Sequence, residues 1–512
     1  MLRMTTRAVA GNPAVVPRHR SRLTDEQLRA ITAKSACVFI EAAPGSGKTT
    51  VAAQRFGLLR FATPVDSRAV VAVSFTRSAT KELQQRVIRA WGFAALTPPH
   101  RIITIDTLLW EVLTFLLRAG HLTWPGGHTN LTVIDTWKLR LPHNWTRYQP
   151  SLKLDGRDVT TTAWWATEAK SRVLLAPFKA AVGDGVCTHD DVRRVLAYAL
   201  DDPQLEAIVA DRIAASVRAL IVDEVFDANP LDLALVSSAA DRGVSTTIIG
   251  DPWQALYRFR GAGPHLVPNL VEANDFATFP LTRSFRFITA QTQSMARMLR
   301  EKVPLTVLPR AGQELDVVLA ATWKELWNIG GDILPLSFGS PDSVPAAAAL
   351  LLLDFVTSTA FGAAAVFRDE ALTQLGIVDV SARTRLEPFF SDVVATLQEP
   401  VRSMAAEKRC INRAWDQLVA AIGTESQREF PRRHHSHTER LTLLRQHILS
   451  DPHRPVPGIT IHQAKGREWR CVGVCLDDTD IDRLFHGLDE TQETDRRLYV
   501  ALTRGKELTV VV

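Results

Sequence analysis

The strongest chemical signal in this 512-residue chain is Ala42-Ala43-Pro44-Gly45-Ser46-Gly47-Lys48-Thr49-Thr50, directly after the apolar run 37–41. Glycines there let backbone N–H groups close around phosphate oxygens, the lysine reaches the outer phosphates, and the next hydroxyl is placed to ligate Mg²⁺. Ala43, Pro44, Gly45, Ser46, Gly47, Lys48, Thr49 and Thr50 are thereby assigned to a nucleoside triphosphate and Thr49 to its metal, with Ala42 standing where the pattern has its first glycine. A second signal, Leu220-Ile221-Val222-Asp223-Glu224, delivers two adjacent carboxylates from an apolar strand. Asp223 is suited to hold Mg²⁺ through its water shell, and Glu224 to take a proton from the attacking water; hydrolysis needs that division and simple binding does not. ATP hydrolysis therefore outranks storage or kinase chemistry.

Further segments follow in a fixed order: Leu23-Thr24-Asp25-Glu26-Gln27, Ser74-Phe75-Thr76-Arg77, Thr104-Ile105-Asp106-Thr107, Gly250-Asp251-Pro252-Trp253-Gln254 continuing through Tyr257-Arg258-Phe259-Arg260, then Leu281-Thr282-Arg283-Ser284-Phe285-Arg286, His462-Gln463-Ala464-Lys465-Gly466-Arg467-Glu468 and Tyr499-Val500-Ala501-Leu502-Thr503-Arg504. In this order they resemble the motifs of the UvrD/Rep helicases of superfamily 1. The resemblance implies that Gln27 reads adenine, Phe285 stacks on it, Glu468 contacts the ribose, Gly466 also binds the nucleotide, Gln254 senses the γ-phosphate, and Arg286 and Arg504 are arginine fingers. It also implies DNA contacts from Phe75, Thr76, Arg77, Thr104, Tyr257, Phe259, Arg260 and His462, with Phe259 stacking on a base, and 3′→5′ movement. Three departures stand out. Phe226 replaces a polar residue after the proposed base, Asp106 stands where a histidine is common, and the chain stops at Val512, so a small member without a C-terminal nuclease domain is expected.

These motifs need strands to carry them. Short β-branched runs at 37–41, 70–75, 102–105, 220–223 and 246–250 read as one parallel sheet, and runs at 315–319, 458–461, 471–476 and 508–512 as a second. The expected fold is α/β, with two RecA-like P-loop NTPase lobes of parallel sheet, the first at 23–110 and 216–277, the second at 278–340 and 455–512. Each is interrupted by an insertion read as mainly helical, at 111–215 and 341–454. Residues 1–22, with five arginines and no acid, read as a disordered basic tail. The apolar stretch 344–367 carries Asp354 at its middle and reads as a buried helix, not a membrane span. In the first insertion Trp124, Trp137, Trp145, Tyr148, Trp164 and Trp165 interleave with Lys138, Arg140, Arg147, Lys153 and Arg157. A nucleic-acid surface would look like this, but a helical core is the favoured reading because tryptophan is heavily buried on average. Arg432, Arg433, His434, His435, His437 and Arg440 read as a solvated loop; carboxylate or cysteine ligands for a metal are missing.

Composition adds little. Net charge is +5 and the isoelectric point about 9.0, which permits a polyanion partner without demanding one. Five cysteines without a CxxC pair suggest neither disulfides nor a zinc site, and a reducing cytoplasm fits. The reading is an ATP-dependent DNA helicase or translocase that uses ATP and Mg²⁺ and works on single-stranded DNA and duplex junctions, with no membrane. The alternative is a DNA-stimulated ATPase that does not unwind, serving a repair or antiviral (phage-defence) complex beside a separate nuclease.

Overall fold

A computed structural model describes residues 23–512 apart from 63–65, 257–260, 306–313, 331, 380, 427, 433 and 451–454. The expected basic tail 1–22 and the candidate DNA contacts Tyr257, Phe259 and Arg260 lie outside the described residues.

Strands Ala69–Ser74 and Val217–Asp223 are buried at every position, and helices must cover both faces of a sheet built from such runs. The first sheet is parallel throughout, in the order Ala277–Leu281, Cys37–Ala42, Ser245–Gly250, Val217–Asp223, Ala69–Ser74, Arg101–Thr104. Helices Lys48–Phe61 and Arg77–Trp91 pack on one face, and Ile105–Arg118 and Pro230–Asp241 on the other. The second sheet is also parallel, in the order Ile333–Pro335, Val456–Thr460, Val317–Ala320, Trp469–Val474, Gly505–Val511. These are the two RecA-like lobes.

Two strands of these sheets escaped the sequence reading, Ala277–Leu281 and Ile333–Pro335. Each holds a proline and each lies at a sheet edge, where a missing N–H costs no ladder bond. Because Ala277–Leu281 pairs with Cys37–Ala42, the first lobe runs on to Leu281, past the expected break at 277.

The first insertion corrects the mainly helical expectation. Its centre is a long antiparallel hairpin, His143–Asp155 with Asp158–Val173, closed by Gly156 at φ +60° and Arg157. Asp155-Gly156 between β-branched and aromatic residues is a strong short-range hairpin signal. Trp124 is buried, as a core reading requires, but Trp145, Tyr148, Trp164 and Trp165 are exposed. Residues of this insertion and of the first sheet form one continuous core, in which Leu152, Val159 and Phe178 join Val71, Val73 and Leu220.

The second insertion is a helical bundle. Its helix Val344–Phe361 is long and apolar enough to cross a membrane, yet it packs against Arg368–Leu375, Ala382–Gln398, Met404–Gly423 and His435–Leu449. Asp354 in its middle is buried, accepts a bond from the Ala365 N–H at 2.9 Å and pairs with Arg383 at 3.2 Å. This bundle has a core largely its own.

Phe226 is a packing residue in this arrangement. Its ring is buried edge-on against Phe39 with centroids 6.2 Å apart, and a Cβ on Gly250 would lie 2.7 Å from it. Phe226→Gln would bury an amide in this apolar packing, so a loss of about 1–3 kcal/mol is expected. Thermal melting checks this, and an unchanged melting temperature would contradict it.

Candidate active site

The phosphate-binding loop leaves strand Cys37–Ala42 at its carboxyl end, where open α/β sheets place their ligands. Gly45 and Gly47 have φ of +71° and +88°, a region side chains disfavour. Space forbids a side chain as well, since a Cβ at Gly45 would meet the Arg286 Cβ at 2.4 Å. Gly47 begins helix Lys48–Phe61, whose first turn has no acid and no side-chain cap, so its free N–H groups face the loop. Ser46 Oγ is buried without a hydrogen-bond partner, as expected of a cradle that takes a phosphate oxygen.

Strand Val217–Asp223 delivers the carboxylates. Glu224 adopts φ +61°, uncommon for a side-chain-bearing residue, and this turns its carboxylate to Lys48 Nζ at 3.1 Å. Burial opposes the Glu224 charge, but Lys48 and then Lys465 outweigh it and hold the carboxyl down to about 2. Burial and the neighbouring Glu224 charge push Asp223 up to about 7. A divalent cation would supply the positive charge Asp223 lacks, and Thr49 and Asp223 line the same cavity, so the donor set fits Mg²⁺.

That cavity, about 360 Å³, lies between the lobes. From the first lobe come Gly45, Gly47, Lys48, Thr49, Thr50, Asp223, Glu224 and Gln254, and from the second lobe's side Phe285, Arg286, Gly466 and Glu468. Arg286 donates from Nε to Glu468 at 3.0 Å and from Nη1 to the Thr503 carbonyl at 2.9 Å. Phe285 is exposed, its N–H bonded to the Gly45 carbonyl at 2.9 Å and the Arg283 guanidinium 5.3 Å from its ring. Gln254 donates to Asp251 at 2.7 Å.

Other candidates stand elsewhere. Gln27 is buried beneath the loop, where Oε1 accepts from the Thr24 N–H at 3.0 Å and Nε2 donates to the Ser46 carbonyl at 2.9 Å, so both amide atoms are committed. Ala43 and Pro44 line a separate groove with Thr282 and Tyr499. Arg504 is fully buried and spends its guanidinium on the Val500 carbonyl at 2.9 Å and Thr503 Oγ1 at 3.3 Å; it is not among the cavity's lining residues. Thr76 and Thr104 cap helices Arg77–Trp91 and Ile105–Arg118 through the N–H groups of Ala79 and Thr107. Arg77 is exposed and pairs with Asp135 at 3.6 Å. Phe75 lines a neighbouring depression with Asp106 and Arg193, and His462 is half-buried, its imidazole held below the usual range by that burial.

Sequence reasoning missed several residues. Lys465 crosses from the second lobe to pair with Asp227 and to approach Glu224 at 3.9 Å; it stood inside a quoted motif without a role. Arg86 lines the cavity and donates to Thr50 Oγ1 at 3.1 Å, but its i,i+4 spacing from Glu82 looks like any solvated helix face. Arg300 grips Asp251 at 3.0 Å and Glu41 at 3.3 Å across the lobes. Asp106, unusual by resemblance, pairs with Arg193 at 2.8 Å, which also holds Asp232 at 2.9 Å. The histidine-rich patch forms no metal cluster among the described residues.

The family model described as an AAA domain matches residues 27–260, and that described as a UvrD-like helicase C-terminal domain matches 458–512. The ATP-dependent DNA helicase UvrD2 of Mycobacterium tuberculosis is 25% identical, covering 98% of this chain and 79% of that protein. The ATP-dependent DNA helicase Rep of Escherichia coli is 25% identical over 48% of this chain and 38% of its own. A solved Pif1 helicase from Candida albicans aligns over 96% of this chain and 95% of that one at 11% identity, with a TM-score of 0.38. With one family model on the first lobe, the other on the end of the second, and UvrD2 spanning nearly the whole, the chain belongs to the UvrD/Rep-like helicases of superfamily 1.

Proposed function

We propose that the protein is an ATP-dependent DNA motor that hydrolyses ATP with Mg²⁺ between its lobes and moves 3′→5′ on single-stranded DNA, opening duplex junctions. The observation that carries this reading is the shared cavity: Lys48, Asp223 and Glu224 on one side face Arg286 and Glu468 on the other, so a nucleotide there touches both lobes. Mg²⁺, held by Thr49 and Asp223, would neutralise phosphate charge.

Lys48 is occupied by Glu224 in the free cleft. Phosphate oxygens compete for that ammonium, and its departure leaves Glu224 a stronger base, able to take the proton of the attacking water. Arg286 grips the phosphoryl oxygens as charge spreads over them. Gln254, beside Asp251, links the phosphate end to the segment at 257–260, while Phe285 and Glu468 hold base and sugar. Because Phe285, Lys465 and Arg300 already reach the first lobe's loop or its carboxylates, a change in cleft charge changes lobe separation.

ATPase rates with no nucleic acid, single-stranded DNA, duplex DNA and RNA, alongside displacement from 3′-tailed and 5′-tailed duplexes, test the reading. Stimulation by single-stranded DNA with displacement of the 3′-tailed duplex alone is expected. Equal rates with every nucleic acid would overturn it, and turnover without displacement would leave a non-unwinding ATPase.

A further inference from the structure

The hairpin of the first insertion has an aromatic surface that its own lobe does not cover. Trp145, Tyr148, Trp164 and Trp165 are 72, 56, 50 and 59% exposed, a dense group of large rings to leave in water. Toward the turn the hairpin is anchored, since Leu152 and Val159 are buried in the lobe core. Tyr148 lies opposite Trp165 in the register, on the face that Leu152 and Thr161 share, so this face runs out of the core into solvent. The two rings meet edge to face with centroids 4.8 Å apart, and the Arg147 guanidinium stands 5.8 Å from the Trp165 ring.

The pair sits beside an irregularity between Thr146 and Tyr148, which re-aims side chains locally. Arg172 secures it from beneath, donating to the carbonyls of Arg147 at 2.8 Å and Glu168 at 3.2 Å. Within 143–173, Arg147, Lys153, Arg157, Lys170 and Arg172 outnumber Asp155, Asp158 and Glu168, and the two aspartates sit at the turn, away from the rings. A cavity of about 430 Å³ at the hairpin's flank and one of about 490 Å³ at Phe75 are both lined by Asp135 and Asp190, so the two cavities adjoin at these residues. Asp135 is the partner of Arg77.

We propose that Tyr148 and Trp165, flanked by Arg147, form a second nucleic-acid site: a platform on which bases of a single strand stack after leaving the cleft between the lobes. Flat faces of this kind take any base, and cations at their rim take the phosphates between. The site rests on the DNA-motor reading given above, and it lengthens the stretch of strand the protein holds.

Binding of the full chain to oligothymidylates of about 8 and about 25 nucleotides, without ATP, separates the cleft from the platform. With Trp165→Ala, affinity for the long strand is expected to fall roughly 10-fold or more, affinity for the short one to stay, and ATPase activity without DNA to stay as well. Trp165→Phe should restore most of the loss because it keeps a flat face. An unchanged affinity for the long strand would overturn the proposal and leave the face to a protein partner; an equal fall for both lengths would overturn it too, since the residue would then be acting on the cleft or the fold. If the wild type bound neither strand, the motor reading itself would fall.

Discussion

Replacing Glu224 by glutamine is expected to stop ATP turnover, by roughly 10²–10⁴-fold, while nucleotide and DNA remain bound. Glutamine keeps the shape of the side chain at its strained backbone position but cannot accept a proton, so the attacking water loses its base. The partners of Glu224 lose less. Lys48 is left free for phosphate, and Lys465 keeps Asp227. Steady-state hydrolysis measured beside equilibrium nucleotide binding checks both halves of the expectation. Lys48→Ala gives the opposite pattern, with nucleotide affinity lost first. Turnover at the wild-type rate by Glu224→Gln would remove the carboxylate from the mechanism.

Arg286→Ala should lower kcat by roughly 10³-fold or more, with a smaller change in nucleotide affinity, because a planar cation matters most when charge spreads over the transferred group. Its guanidinium is already aimed by Glu468 and the Thr503 carbonyl, so reorganisation on binding is small. Glu468 does not become an isolated charge when Arg286 goes, since Lys506 lies 2.9 Å away. Stability is therefore expected to hold. Arg504→Ala provides the contrast: its guanidinium is fully buried and bonded within its own lobe, so its removal leaves a cavity and takes one of two donors from the Val500 carbonyl, and a lower melting temperature accompanies any loss of rate. A pure affinity loss with Arg286→Ala would contradict its assignment.

What the sequence made legible was local. The phosphate loop, the Asp223–Glu224 pair and the central strands follow from glycine placement and apolar runs that can be read within ten residues. Edge strands hid behind Pro280 and Pro335, which read as breakers until the sheet shows that nothing pairs on their far side. The hairpin had a readable turn in Asp155-Gly156, but tryptophan is buried on average, and this segment exposes Trp145, Trp164 and Trp165 instead. Arg193 was beyond reach. Its meaning depends on Asp106 and Asp232, residues far away in the chain, and only the folded chain brings the three together. Lys465 was visible as a residue and invisible as a bridge for the same reason.

Arg193 also settles what kind of body the first insertion is. It stands on an insertion helix, His189–Leu200, and is clamped between carboxylates on two helices of the first lobe, above a core that insertion and lobe share. The insertion is therefore no swinging arm. It belongs to the same solid as the phosphate loop, as the fixed jaw of a vice belongs to its bed, and the expected consequence is a hairpin that keeps its distance from Phe75 and Lys48 when the cleft opens or closes. In the motor proposed above, relative travel along a strand would then fall to the second lobe, whose own insertion has a largely separate core.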